Sequence, residues 1–119
     1  MSREMFTLMK PEIFIIKLRQ YFEYVASEDT AYDKTYDPGK GKLHNHCGCV
    51  AYVIQKMFGG ELMGAKNHIW NRVEDIEYDA TKDDLIPSYN GHKLPERKTI
   101  NPRFKTFDER VTNQMEEKI

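Results

Sequence analysis

His68-Ile69-Trp70-Asn71-Arg72-Val73, Glu74-Asp75 and Ile76-Glu77-Tyr78-Asp79-Ala80 follow one another without a break, and this stretch decides the fold. The first and last pieces are rich in β-branched and aromatic residues, and the middle pair is a turn between them, so the stretch reads as a tight β-hairpin. A two-residue loop at Glu74-Asp75 pairs residues whose numbers add to an odd total. His68 and Asp79 also add to an odd total, so their side chains share one face as diagonal neighbours. A three-residue loop would put them on opposite faces.

Upstream of the hairpin, Cys47 to Phe58 has an apolar stripe at Val50, Ile54, Met57 and Phe58, and Gly59-Gly60 supplies a stop. That pattern predicts a helix with Cys47 at its start. Further back, Pro11, Phe14, Leu18, Tyr21 or Phe22, and Val25 mark an amphipathic helix over residues 11–26. Residues 27–45 lose all periodicity and carry the turn signal Asp37-Pro38-Gly39, which predicts a long, functional or mobile loop. Beyond the hairpin the chain is rich in turn formers, and a last polar helix is expected from about Thr106. Helix, loop, helix, hairpin is the order of an α+β domain, and 119 residues suffice for one such domain spanning 1–119.

Charge narrows the function classes. Lys plus Arg number 18 and Asp plus Glu 19, for a formal net charge of -1. That balance predicts neither nucleic acid nor an anionic membrane as partner. No apolar run is long enough for a membrane span, and the N-terminus lacks the pattern of a signal peptide. Cys47 and Cys49 are too close in sequence for an unstrained bridge. Free thiols suit a reducing compartment, so the expected location is the cytoplasm.

Cys47, His68 and Asp79 carry the chemistry. Unpaired N–H groups at a helix start favour a thiolate, and a neighbouring imidazole takes the thiol proton. A carboxylate beside that imidazole fixes its tautomer. Each residue also has a plainer reading. A cysteine with apolar neighbours serves as a small buried hydrophobe, a strand histidine as a structural side chain, and an aspartate before Thr81-Lys82-Asp83 as a turn cap. Spacing by itself does not choose between the two sets.

The pieces Cys47-Gly48-Cys49-Val50-Ala51-Tyr52-Val53-Ile54-Gln55, Phe58-Gly59-Gly60-Glu61-Leu62, His68-Ile69-Trp70-Asn71-Arg72-Val73 and Asp79-Ala80-Thr81 together resemble the bacterial YunG-like family. The resemblance covers roughly residues 44–84. It implies a papain-like or transglutaminase-like α+β fold, with N-terminal helices packed on a small antiparallel sheet. It implies Cys47 as nucleophile, His68 as base and Asp79 as orienting carboxylate. The residue before the family's cysteine is typically Gln, suited to an oxyanion hole. Here it is His46, whose imidazole can donate a hydrogen bond to an oxyanion. The expected function is a thiol-dependent hydrolase or acyltransferase on an amide, isopeptide or thioester carbonyl of a small molecule, peptide or protein. The alternative is a non-catalytic binding or inhibitor module using the same cleft.

Two further groups deserve a reading. His44, His46, Cys47 and Cys49 are potential metal ligands, but their spacing is poor for a zinc site and no second pair exists, so no metal and no cofactor is expected. Trp70 shares the His68 face and is read as core or as a wall of the substrate cleft. Lys93, Arg97, Lys98 and Arg103 make the tail locally basic, with a solvated surface as the default and contact with an anion as the sharper reading.

Overall fold

A computed structural model describes residues 10–117. Its elements are helix α1 (Pro11–Val25), helix α2 (Cys47–Phe58), strands β1 (Glu61–Ala65), β2 (His68–Val73), β3 (Ile76–Tyr78) and β4 (His92–Lys93), and helix α3 (Pro102–Glu117). Among the described residues the fold is α+β, three helices and a four-stranded antiparallel sheet in the order β3-β2-β1-β4.

α1 opens on Pro11, whose fixed φ suits the first turn, and buries Phe14, Ile15, Leu18, Phe22 and Val25. α2 buries Cys49, Val50, Val53, Ile54 and Met57, and α3 buries Phe104, Phe107, Val111 and Met115. These stripes meet Val73, Tyr78 and Ala80 of the sheet side in one hydrophobic cluster. Burying each Phe, Leu or Ile side chain stabilises the fold by roughly 1.5–3 kcal/mol. α2 lies on the central strand β2, and buried Asn71 ties them: its Nδ2 donates to the Ala51 carbonyl at 2.9 Å. That bond fixes the helix start against the strand that carries His68.

The hairpin has the register expected of a two-residue loop, with Asn71 opposite Tyr78, Arg72 opposite Glu77 and Val73 opposite Ile76. Glu74 and Asp75 both sit in the left-handed region, at φ 52° and 66°, as a turn whose twist matches the strands requires. Its second strand ends at Tyr78, before Asp79 and Ala80.

Three features lie beyond what periodicity indicates. Glu61–Ala65, adjoining the helix stop, is strand β1 and pairs along all of its length with β2. Gly59 and Gly60 turn the chain into it at φ 76° and 81°, and a Cβ at Gly60 would run into the Arg72 carbonyl. β4 is a two-residue edge pairing with Met63 and Gly64. α3 begins at Pro102, four residues ahead of Thr106: Asn101 Oδ1 accepts the Arg103 N–H at 3.0 Å and Pro102 takes the first helical position. Residues 27–45 are braced by three short 3-10 turns. They are held by Tyr32 N–H to the Asn45 carbonyl at 2.8 Å and Asn45 Nδ2 to the Thr35 carbonyl at 2.8 Å.

Candidate active site

Cys47 occupies the first position of α2, after His46 at the N-cap. The N–H groups of a first helical turn have no intrahelical acceptor, and they favour negative charge at this end. Gly48 follows because nothing larger fits: a Cβ there would lie 2.6 Å from the Phe104 ring of α3. The same contact seats α3 against the cysteine turn.

His68 opens β2, and its ring reaches back to Cys47 across the start of α2. Its Nε2 bonds Asp79 Oδ2 at 2.7 Å, which leaves Nδ1 for the thiol. The indole of Trp70 stacks behind the imidazole with ring centroids 5.9 Å apart. Asp79 is 1% exposed. Its other oxygen, Oδ1, accepts the Thr81 backbone N–H at 3.0 Å and the Thr81 hydroxyl at 2.6 Å. The plain role of a turn cap and the sharper role of an imidazole partner are thus filled by one carboxylate, one oxygen each.

Electrostatics follow from these contacts. Burial pushes the Cys47 thiol up, but the His68 imidazole, the Ile69 N–H and the Gly48 N–H together outweigh it and hold the thiol below its ordinary value. The Asp79 hydrogen bond, reinforced by Cys47, pushes His68 up to about 10 against the opposing effect of burial. Burial also pushes Asp79 up, and the hydrogen bonds from His68 and Thr81 reverse that, keeping the carboxyl below the usual range. All three shifts favour thiolate, imidazolium and carboxylate in a row. Cys49 is the contrast: buried, with its thiol donating to the Thr30 carbonyl at 3.2 Å, it is pushed up to about 12 by burial.

The structure places both His46 and Trp70 in the core, the second of the two as one of its sequence readings had it. The His46 ring is 0% exposed, between Tyr36 and Phe107. Its Nδ1 lies 2.7 Å from the His44 carbonyl and its Nε2 2.7 Å from the Thr30 hydroxyl. Burial holds it below the ordinary imidazole value, so Nδ1–H donates and Nε2 accepts. Both nitrogens are used inside the core, and neither is free for an oxyanion. Trp70 is likewise 0% exposed. Its indole N–H donates to Glu77 Oε1 at 2.7 Å and its ring lies under Gly91, so it backs His68 from within the core.

The four candidate metal ligands diverge. His44 Nδ1 accepts the Asp37 N–H at 3.1 Å, His46 and Cys49 point into the core, and Cys47 faces His68. Among the described residues no group of three or more His, Cys, Asp or Glu is placed to hold a metal ion. No helix among them is long and apolar enough to cross a membrane.

A groove passes Cys47 and His68 on both sides. One lobe, about 680 Å³, runs along Arg19, Glu23, Lys42 and Asp83; the other, about 670 Å³, runs along Tyr32, Lys66, Arg97 and Arg103. Asn45, Cys47, Asn67 and His68 line both. Thr81 was absent from the sequence reading of the site, although Asp79-Ala80-Thr81 has the spacing of an Asx turn. Asn45 and Asn67 carried no such signal.

The profile of the YunG protein family matches residues 15–117. The chain belongs to the YunG protein family. The match extends the likeness well beyond residues 44–84, to α1 and α3 as well as the Cys47 helix and the hairpin. No curated protein and no solved structure matches the chain.

Proposed function

We propose that this chain is a thiol-dependent hydrolase or acyltransferase on a papain-like scaffold, acting on an amide, isopeptide or thioester carbonyl. The observation that carries the reading is His68, bonded through Nε2 to buried Asp79 and turned toward a thiol at a helix start. In the proposed reaction the Cys47 thiolate attacks the carbonyl carbon, and the carbonyl oxygen becomes an oxyanion facing the free N–H groups of the first turn of α2. His68 imidazolium gives its proton to the leaving nitrogen or sulfur as the bond to carbon breaks. A thioester to Cys47 remains. Neutral His68 then takes a proton from water or from an acceptor amine, whose attack releases the acyl group and restores the thiol. Asp79 keeps the imidazole in one orientation throughout.

The test is acyl transfer to the protein itself. Incubation with small acyl thioesters should add the acyl mass to Cys47, as read by intact and peptide mass spectrometry, and the adduct should disappear in Cys47→Ala and fall steeply in His68→Ala. Absence of any adduct across aliphatic, aromatic and peptidyl thioesters would falsify the enzyme reading. One observation favours the second reading, a non-catalytic binding or inhibitor module: His46 holds the place of an oxyanion-hole side chain yet is locked in the core. A protein that binds a peptide or partner in the groove without acylation would be that module.

A further inference from the structure

The two lobes of the groove differ in how their charges are disposed. In the first, carboxylates stand among the cations: Arg19 lies 2.8 Å from Asp83 and 3.6 Å from Glu23, and Lys42 lies 3.9 Å from Glu23, while Lys40 pairs with no described carboxylate. The second is lined by Lys66, His92, Arg97 and Arg103, and its described lining holds no Asp or Glu. Lys66, Arg97 and Arg103 form no ion pair with any described carboxylate, and Lys66 and Arg97 donate no hydrogen bond to a described residue.

Aromatic rings hold these cations in place. The Arg97 guanidinium lies 4.9 Å from the Phe104 ring centroid, Arg103 lies 5.0 Å from the same ring and 5.6 Å from that of Tyr32, and the Lys66 ammonium lies 5.5 Å from Tyr89. Stacking on a ring orients a guanidinium without neutralising it. Arg103 Nη1 donates to the Thr30 carbonyl at 3.0 Å and to Cys49 Sγ at 3.8 Å, which leaves its Nε and Nη2 donors. The formal net charge of the whole chain is -1, so this field is local to the lobe. It converges from the β1–β2 turn, the stretch after β4 and the first turn of α3, and it ends at Cys47.

Resting on the thiol reading of the site, we propose that the Lys66, Arg97 and Arg103 lobe receives an acidic peptide segment, so that the substrate carries carboxylates on one side of the carbonyl Cys47 attacks. Two guanidiniums match planar carboxylates through paired N–H donors, and a lysine adds an adaptable third cation. The opposite lobe carries Glu23 and Asp83 among its cations and is a poorer match for carboxylates. The lobe is a substrate-positioning surface and takes no part in the bond changes.

Binding tests this without any chemistry. Full-length Cys47→Ala protein is titrated calorimetrically with acetylated, amidated peptides of one length that carry glutamate, glutamine or lysine at alternate positions. The glutamate peptide should bind tighter than the glutamine peptide by on the order of tenfold. The lysine peptide should bind weakest. The advantage should shrink as salt shortens the Debye length from ~10 Å toward ~3 Å. It should also be lost in Lys66→Gln/Arg97→Gln, two exposed positions, with a melting curve checking that the variant is folded. Equal binding of glutamate and glutamine peptides, or a preference that survives the double substitution, overturns the proposal. Thioester labelling of Cys47 reports separately on the thiol chemistry. An acidic preference with an inert thiol keeps the lobe and removes the hydrolase; a reactive thiol without the preference does the reverse.

Discussion

Asp79 Oδ2, one residue past the end of β3, lies 2.7 Å from Nε2 of His68 at the start of β2. The bond orients the ring so that its remaining nitrogen serves Cys47, and it raises the imidazole while lowering the carboxyl. Everything the site does with protons follows from this pair.

The first prediction concerns the thiols. Cys47 should react with iodoacetamide well below the usual thiol range, while Cys49, pushed up to about 12, should stay unlabelled in the folded protein. Peptide-resolved mass spectrometry over a pH series separates the two. His68→Ala should move the Cys47 profile up toward ~8.5. Equal, slow labelling of both cysteines, indifferent to His68, would remove the thiolate from the account.

Turnover should be bell-shaped in pH. Its acid limb reports formation of the Cys47 thiolate, and its basic limb reports loss of the His68 proton near about 10, when the leaving group can no longer be protonated. Stability should follow a different curve. His68 is raised on folding, so its contribution is complete below the unfolded value of ~6.5 and fades as pH rises toward the folded one. Asp79 is lowered, so its contribution is present above ~3.9 and fades as pH falls through its folded value. Melting temperature against pH should therefore peak between those limits, and Asp79→Asn should flatten the curve on both sides.

Asp79→Asn also separates orientation from basicity. The amide can still cap the Thr81 turn through its oxygen, but it no longer supplies the charge that holds His68 protonated. The Cys47 alkylation profile should lie between wild type and His68→Ala. Losing a charge-assisted buried bond should cost about 1.5–3 kcal/mol by denaturant unfolding. A profile identical to wild type would show that Asp79 acts only as a turn cap.

His46→Ala should act on stability and leave reactivity alone. It deletes a buried ring together with its bonds to the Thr30 hydroxyl and the His44 carbonyl, Thr30 keeping only its contacts with Ser27, for a loss of about 2–5 kcal/mol. The folded fraction should alkylate at Cys47 with the wild-type pH profile. If acylation falls while stability holds, His46 faces the substrate after all.

Gly48→Ala places a methyl 2.6 Å from the Phe104 ring. The ring must shift, with an expected loss of about 1–3 kcal/mol. Pairing it with Phe104→Leu should recover much of that loss, since the smaller side chain makes the room; chemical denaturation of the single and double variants measures the coupling.

Much of this molecule was determined by sequence alone. Apolar spacing indicated α1 and α2, Gly59-Gly60 the end of α2, and the Glu74-Asp75 turn the register of β2 with β3; Asp79 lies one residue past that ladder. These are local relations: a helix repeats every few residues, a strand alternates, and a two-residue loop leaves one pairing open to the residues around it. Tertiary structure alone decided the rest. β1 has little alternation and becomes a strand only because β2 and β4 pair with it on either side. His46 follows no apolar pattern, and it lies in the core because Thr30, His44 and Phe107 meet there. Lys66, Arg97 and Arg103 belong to three separate segments, and they form one lobe only when α3 docks its Phe104 on Gly48 beside the nucleophile. Local pattern tells which face of an element is apolar; only packing of distant segments tells what that face, and the polar groups around it, will meet.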